Sequence, residues 1–239
     1  MSLYQACRSL YRGLVPRAAR QRIDLLLPAP ARVLRQHLLT VLQRTARHDE
    51  IYDAQYYAQD VEPLMARSAE TIAQTIVHEL RPGRVIDVGC GTGLLLAALR
   101  RHGVEGRGFE YARAALEVCR QRGLDVQRLD LEHDPIPADR ADVIISTEVA
   151  EHLPANCADR FVQILTRMGP SVVLTAAVPG SGGTDHVNEQ PNEYWIQKFA
   201  QHGFDYQRER SLSWRQQWAR AGVGHCFASS LMLFRSSVA

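Results

Sequence analysis

A stripe of apolar residues marks residues 61–80, where they recur every three or four positions: Met65, Ala69, Ile72, Ile76 and Leu80. This spacing predicts an amphipathic helix. A proline and a glycine follow at positions 82 and 83, and that pair is typical of a helix stop. We therefore expect one long helix ahead of the elements that the downstream pattern predicts.

Short apolar runs alternate with helical patterns along the rest of the chain. The runs predict strands at residues 85–88, 106–110, 142–146 and 172–176, and a short strand that ends near Asp130. The stretches between them predict helices at residues 94–100, 112–122 and 158–167, and the tail predicts strands at 204–208 and 227–234 flanking a helix near 213–221. Continuous β-branched runs separated by helices indicate parallel strands covered on both faces. The sequence therefore predicts an α/β fold with a doubly wound, mostly parallel sheet.

The N-terminal residues differ from the rest in charge. Residues 1–48 contain nine arginines and one acidic residue, Asp24, which leaves 25 acidic and 19 basic residues in the remainder of the 239-residue chain. Prolines break this stretch into short helical pieces, so we predict a basic helical extension at 1–48 and a separate domain at 49–239. The extension is either a solvated cap on that domain or a cationic arm for a membrane surface, a nucleic acid or an anionic glycan carrier.

The cysteines point to a reducing environment. The five cysteines are widely spaced and contain no C-x-x-C pair, which excludes a disulfide framework and a zinc ribbon. The longest apolar stretches fall well short of the roughly 20 residues that cross a bilayer. These features predict a cytoplasmic protein without a membrane span, and they leave the oligomeric state open.

A glycine-rich turn follows the first predicted strand, with glycines at positions 89, 91 and 93 and an acid, Asp87, just before them. Such a turn lets a ligand lie against the backbone at the start of a helix. A dinucleotide fold needs the spacing G-x-G-x-x-G, and here Leu94 occupies its third glycine position. Asp87 would also repel a pyrophosphate, so an NAD(P)-dependent oxidoreductase is disfavoured.

The pattern D-x-G-x-G-x-G resembles motif I of the class I S-adenosylmethionine (SAM) dependent methyltransferases. This resemblance covers roughly residues 70–235 and implies SAM as cofactor. It also implies their Rossmann-like sheet of seven strands, mostly parallel with one antiparallel strand near the C-terminus. Five residues of the turn would then bind the cofactor: Asp87, Gly89, Cys90, Gly91 and Gly93.

Acids at the next two strand ends extend the cofactor prediction. Glu110, followed by Tyr111, closes the second strand, where a carboxylate can accept both ribose hydroxyls. Asp130 closes the third, and with Leu131 it resembles the family's adenine-binding pair. Ligands of open α/β sheets lie outside these carboxyl ends, so three acids at consecutive strand ends indicate one shared site.

A cluster of acids and histidines follows the fourth strand. If residues 148–153 begin a helix, Glu148, Glu151 and His152 lie on one face. The glycine-rich loop at 179–190 brings His186 to the same edge of the sheet. An E-x-x-E-H string with a later D-H resembles the metal-dependent O-methyltransferases of the ubiquinone-biosynthesis and small-RNA 2′-O-methylating types. On that resemblance Thr147 contacts SAM, and a divalent metal such as magnesium or manganese is held by four residues: Glu148, Glu151, His152 and His186.

Two other interpretations of this cluster stay open. Without a metal, His152 or His186 would act as general base, oriented by Glu148 or Glu151. The same string is also compatible with a merely polar first helical turn, because acids favour helix N-termini. The candidate catalytic residues are His152, His186 and Glu151.

The methyl acceptor is less well specified. The string H-V-N-E-Q-P-x-x-Y-W resembles bacterial methyltransferases of polysaccharide and secondary-metabolite gene clusters, so we predict O-methylation of a sugar, glycan or other small molecule. Tyr194, Trp195 and Phe199 either line an acceptor pocket or, as is commoner for aromatics at helical spacing, belong to the core. An RNA 2′-O-methyltransferase is a weaker alternative, since the chain is net acidic outside the N-terminal stretch. A non-catalytic SAM-binding regulator is a further one.

Overall fold

The computed structural model describes residues 48–237. The predicted basic extension lies outside these residues except for its last position, His48. That histidine begins a short helix, His48–Ile51, so the predicted boundary between residues 48 and 49 falls inside a helix.

Seven strands form one sheet in this part of the chain, in the order β3-β2-β1-β4-β5-β7-β6. Their bounds are β1 Arg84–Val88, β2 Glu105–Glu110, β3 Asp125–Arg128, β4 Val143–Thr147, β5 Ser171–Thr175, β6 Phe204–Tyr206 and β7 Met232–Ser236. β7 runs antiparallel to both of its neighbours, and the other six strands are parallel to one another. The predicted fold class is confirmed, including the antiparallel strand near the C-terminus.

Helices cover both faces of the sheet. They are α1 His48–Ile51, α2 Ala54–Tyr56, α3 Glu62–Leu80, α4 Leu94–Arg101, α5 Arg113–Gln121, α6 Ala158–Met168, α7 Asn192–Gln201, α8 Arg208–Arg220 and α9 His225–Ser230. A π-helical turn, Tyr57–Val61, joins α2 to α3, and 3-10 turns span Ala150–His152 and Ala155–Cys157. None of the helices in residues 48–237 is long and apolar enough to cross a membrane.

Two hydrophobic layers hold the helices against the sheet. The first layer packs Ile72 and Ile76 of α3 with α4 and with Trp218 of α8. The second packs α6 and α7 on the opposite face, where Phe199 stacks on Phe234 with ring centroids 3.9 Å apart. Trp195 is 1% exposed in the same layer. Trp195 and Phe199 are therefore core residues, which agrees with the commoner of the two predicted roles.

The predicted strand at 227–234 is wrong in its first half. Residues His225–Ser230 form α9, and only Met232–Ser236 pairs with β5 and β6. The Ser230 hydroxyl donates to the Cys226 carbonyl at 2.6 Å within this helix, while Phe227 and Ala228 are buried in the first layer. An apolar run of this length buries its side chains equally well as a helical turn followed by a strand, so the sequence pattern alone did not separate the two.

Candidate active site

The glycine turn after β1 has the backbone geometry that the motif predicts. Gly89, Gly91 and Gly93 all have positive φ values, of 75°, 54° and 76°. A Cβ atom at Gly89 would lie 2.3 Å from a methyl carbon of Val149, in the turn that follows β4. Glycine is thus required at position 89 both by its backbone conformation and by the close approach of a second loop.

Asp87 lies under this turn and is 2% exposed. Burial, together with the smaller effect of the negative charge of Glu110, raises its pKa to about 7. Its Oδ1 atom is buried and has no hydrogen-bond partner among residues 48–237. A buried carboxylate with an unused acceptor atom fits a ligand that brings a positive charge, such as an ammonium group.

The Glu110 carboxylate accepts hydrogen bonds from the backbone of the glycine turn and from the backbone that follows β2. Its Oε2 accepts from the Gly91 amide at 2.8 Å, and its Oε1 accepts from the Tyr111 and Ala112 amides at 2.8 and 2.9 Å. Burial raises the pKa of Glu110, and these three donors act in the opposite direction. The carboxylate therefore fixes the end of β2 against the glycine turn.

The residues predicted to bind adenine also lie at the carboxyl ends of the strands. The Asp130 Oδ1 atom accepts from the Glu132 and His133 amides at 2.9 and 3.2 Å, so the acid shapes its own turn. Tyr111 lies between the guanidinium of Arg128, 4.4 Å from its ring centroid, and the ring of His48, 4.5 Å away.

One cavity of about 570 Å³ connects these groups. Nine of the ten predicted cofactor residues line it: Asp87, Gly89, Cys90, Gly91, Glu110, Tyr111, Asp130, Leu131 and Thr147. The tenth, Gly93, packs instead against α5 and the residues after it, where a Cβ atom would lie 2.3 Å from Leu124 and 3.0 Å from Cys119. Gly93 therefore shapes the turn from behind.

The acid and histidine cluster lies in the same cavity but not on a helix face. Only Ala150–His152 forms a 3-10 turn, and Glu148 precedes it with a positive φ of 55°. The predicted i, i+3, i+4 arrangement is therefore wrong. Instead the backbone reverses at Glu148, a strained conformation of the kind that concentrates at functional sites.

The two glutamates of the cluster have different surroundings. Glu148 Oε1 accepts from the Thr175 hydroxyl at 2.8 Å. Glu151 is 0% exposed, and neither of its carboxyl oxygens has a hydrogen-bond partner among the described residues. Burial raises the pKa of both groups, and the charge of Glu148 raises that of Glu151 further. A buried carboxylate in this state needs either a proton or a cation.

His186 is held by a residue that the sequence analysis did not single out. Its Nδ1 atom lies 2.8 Å from Glu189 Oε1, and the Glu189 carboxylate also accepts from the amides of Gly180 and Gly182. A carboxylate only accepts, so Nδ1 carries the proton and Nε2 is left with its lone pair. The His186 ring lies over Gly183, where a Cβ atom would be 2.2 Å from Nε2.

Three groups at this end of the cavity could hold a metal ion together. One ligand atom each from Glu151, His152 and His186 lie within 4.8 Å of one another. Glu148 is not in that set, although its charge acts directly on Glu151. Two imidazoles whose Nδ1 atoms are engaged elsewhere and a carboxylate with two unused oxygens fit a divalent cation.

Two further residues of the site come from the segment before α3. His48 and Tyr52 line the cavity, and the Tyr52 hydroxyl lies 3.0 Å from His152 Nδ1. Nothing in the local sequence distinguishes these two from ordinary surface aromatics, so only the folded chain reveals them. Glu189 could have been identified from the sequence, because it belongs to the H-V-N-E string that resembles bacterial methyltransferases.

The sheet has the strand order of the class I methyltransferase fold. Its cavity lies at the carboxyl ends of the strands, beside a motif I turn, which is where that fold binds its cofactor. The chain matches the model of the methyltransferase domain family over residues 57–223, and it belongs to that family. The predictions of a class I SAM-dependent methyltransferase and of SAM as its cofactor are confirmed.

Curated relatives match part of the chain. A ubiquinone biosynthesis O-methyltransferase of Alkalilimnicola ehrlichii is 31% identical over 103 residues, which are 40% of each chain. One of Coxiella burnetii is 34% identical over 91 residues, which are 33% of this chain and 39% of that protein. The chain thus spans about two fifths of the length of these relatives.

Solved structures share the fold. A chain in the complex between the Haloferax volcanii Trm112 methyltransferase activator and the putative methyltransferase superposes with a TM-score of 0.58. Its sequence is 15% identical, and the match covers 80% of this chain and 99% of that one. At this level of identity the likeness establishes the architecture alone.

Proposed function

We propose that this protein transfers the methyl group of SAM to a hydroxyl group of a sugar, a glycan or another small molecule, with a divalent metal at the Glu151, His152 and His186 cluster. One observation carries the proposal: the cluster lines the same cavity as the predicted cofactor residues Asp87 and Glu110. The relatives named O-methyltransferases support an oxygen acceptor.

The strand-end acids would hold the cofactor. Asp87 has an unused buried oxygen for the ammonium group, Glu110 lies where the ribose is expected, and Asp130 with Leu131 lies where the adenine is expected. SAM supplies a methyl group that is already activated on a sulfonium sulfur. The protein therefore has to align the acceptor oxygen and to control charge, and both tasks are met by fixed polar groups in a buried site.

The cluster would control the charge of the acceptor oxygen. Glu151 and the Nε2 atoms of His152 and His186 are the donors for a metal, and a bound divalent cation stabilises an oxygen that is losing its proton. Glu189 holds His186 through Nδ1, and Thr175 holds Glu148. The first contact fixes one member of the donor set, and the second fixes the acid whose charge acts on Glu151.

The metal-free alternative assigns a proton acceptor role to His152. Its Nε2 lone pair is available in the tautomer in which Nδ1 donates to the Asp185 carbonyl oxygen, 3.2 Å away. Burial lowers the pKa of His152 to about 3, with a further contribution from His186. A general base works best with a pKa near the operating pH, so this value favours a ligand role over a base role.

The charge of the cavity bears on the acceptor. Among the described residues that line it are eight carboxylic acids and four histidines but no lysine or arginine. A lining of this composition repels phosphate groups, so it supports an uncharged acceptor over RNA.

Labelled SAM tests the proposal. The purified full chain is incubated with methyl-labelled SAM, manganese and fractions of an extract from the organism that encodes it. We expect base-stable label in a small-molecule or glycan fraction, and loss of that labelling both in excess EDTA and in the Glu151→Gln variant. Full labelling in EDTA would show that no metal is required, and it would assign the role of proton acceptor to His152 or His186. Calorimetric binding of SAM without label in any fraction would instead support the non-catalytic alternative, and label in RNA would support the nucleic-acid one.

A further inference from the structure

We infer that Tyr52 is a positioning residue for His152: together with Asp185 it holds the imidazole so that Nδ1 keeps its proton and Nε2 faces Glu151 and His186. The inference rests on the proposed function, because it assigns a role toward the same cluster. It goes beyond that function because Tyr52 lies 100 residues before His152 in the chain, outside every motif that the sequence displays.

Three short contacts carry the inference. The Tyr52 hydroxyl oxygen lies 3.0 Å from His152 Nδ1 and 3.3 Å from Asp185 Oδ2. The same Nδ1 atom lies 3.2 Å from the backbone oxygen of Asp185. The three residues thus form a closed set of hydrogen bonds around the Nδ1 atom of the imidazole.

Donor and acceptor chemistry assigns each proton in this set. We assign the hydrogen to His152 Nδ1, because the Asp185 backbone oxygen can only accept and the Tyr52 hydroxyl has the Asp185 carboxylate as its own acceptor. That N–H is shared with the Tyr52 oxygen, which therefore accepts, and the Tyr52 hydroxyl donates its own hydrogen to the Asp185 carboxylate. With Nδ1 protonated in a neutral imidazole, Nε2 has the lone pair that a metal or a proton requires.

The surroundings of Tyr52 and Asp185 keep these contacts in place. Tyr52 is 7% exposed, and its ring packs on His48 at 4.4 Å and edge-on against His152 at 5.7 Å. Asp185 has a positive φ of 59°, which costs free energy in a residue with a side chain; its backbone oxygen lies against the imidazole and its carboxylate against the Tyr52 hydroxyl. Partners of this kind fix the tautomer and ring orientation of metal-binding histidines.

The Tyr52→Phe variant of the full chain tests the inference, because it keeps the ring and removes the hydroxyl. The first readout is the ¹⁵N spectrum of the His152 imidazole in the metal-free protein. We expect protonated Nδ1 in the wild type and a measurable Nε2–H population in Tyr52→Phe. The second readout is calorimetric titration with manganese alone, where we expect affinity to fall about tenfold, in line with the loss of other outer partners of metal-binding histidines.

A second variant tests the same inference if Tyr52→Phe fails to fold. Asp185→Ala removes the acceptor of the Tyr52 hydroxyl, and it should change the His152 tautomer in the same direction. The double variant should be no worse than the more affected single variant, because both act on one set of bonds. Tyr206→Phe is the matched control, since Tyr206 lies on β6 and packs on Phe234.

The outcomes separate this inference from the proposed function. An imidazole spectrum of His152 that is the same in wild type, Tyr52→Phe and Asp185→Ala would overturn the positioning role, whether or not the protein methylates anything. A changed tautomer in both variants, with Tyr206→Phe unchanged, would support it even if no acceptor is ever labelled. Failure of the proposed function would appear instead as absent methyl transfer by the wild type.

Discussion

Two carboxylates that line the cavity have acceptor atoms that nothing in the described chain satisfies. Asp87 has one such atom beneath the glycine turn, and Glu151 has two beside the histidines. Leaving a buried polar group unpaired costs about 1–3 kcal/mol, and more when the group is charged. The ligand-free protein therefore carries this free-energy cost, and binding of a cation at either carboxylate relieves it.

The first prediction concerns Asp87 and pH. Its pKa is about 7 in the folded chain and 3.8 in a model peptide, so the folded state retains a proton that the unfolded state releases between those values. Stability of the ligand-free protein should therefore fall as pH rises from about 4 to 7 and stay reduced above. Asp87→Asn removes this penalty. It should raise the free energy of unfolding at pH 8 by up to about 4 kcal/mol, since a pKa change of one is worth about 1.4 kcal/mol and the two states differ in pKa by about three.

The same substitution should weaken SAM binding at least tenfold, because the charge partner of the ammonium group is lost. Urea unfolding at pH 4.5 and pH 8 measures the first effect, and titration calorimetry measures the second. Asp205→Asn, an exposed acid on β6, is the control and should change neither. An Asp87→Asn protein that is more stable yet binds SAM normally would remove Asp87 from the cofactor site.

At the residue scale, the sequence predicted those side chains that a motif specifies. Asp87, Glu110 and His186 were named from the resemblance to the methyltransferase family, and the structure places all three in one cavity. Tyr52 and Glu189 were not, because their roles depend on contacts across the fold. Hydrogen bonds between distant segments leave no periodic signal in a sequence.

At the scale of elements, the site is built where two turns touch. The turn after β1 carries the cofactor residues, the turn after β4 carries the acids, and Gly89 meets Val149 at their contact. The identities of the strands and most helices followed from apolar periodicity, but this contact did not. Neither did the backbone reversal at Glu148, because glutamate rarely adopts a positive φ and nothing in the string announces it.

The contact between the turns gives the second prediction. Gly103 and Gly89 have similar φ values, of 79° and 75°, but a Cβ atom at Gly103 would meet nothing within 4 Å. Gly103→Ala should therefore cost only the backbone term, about 1–2 kcal/mol of unfolding free energy. Gly89→Ala should cost about 1–3 kcal/mol more, because the methyl group overlaps Val149.

A double variant checks the cause of that difference. Val149→Ala should restore part of the stability of Gly89→Ala while having no such effect on Gly103→Ala. Urea unfolding of the wild type, the three single variants and the two double variants measures this. Equal costs for the two glycine variants would show that the turns do not press on each other.

At the scale of the whole molecule, the two hydrophobic layers on the sheet contain no residue of the described segment that precedes α3. That segment contributes a small separate cluster in which Ile51, Tyr52 and Tyr57 pack on Ala112 and Ala115 of the α5 region. Its side chains nevertheless line the cavity, so it belongs to the site more than to the core.

Two shortened chains give the third prediction. A chain that begins at His48 should bind SAM with an affinity within about threefold of the full chain, because it keeps every described lining residue. A chain that begins at Ala58 should retain the circular dichroism of the folded sheet and lose at least tenfold in SAM affinity, since His48, Tyr52 and Tyr57 are gone. Equal affinities of the two would show that this segment does not serve the cofactor.

One short stretch of chain contacts two parts of the cavity lining: His48 packs on Tyr111, a predicted cofactor residue, and the Tyr52 hydroxyl lies 3.0 Å from His152 Nδ1 in the cluster. A displacement of this stretch would therefore disturb the cofactor residues and the cluster together.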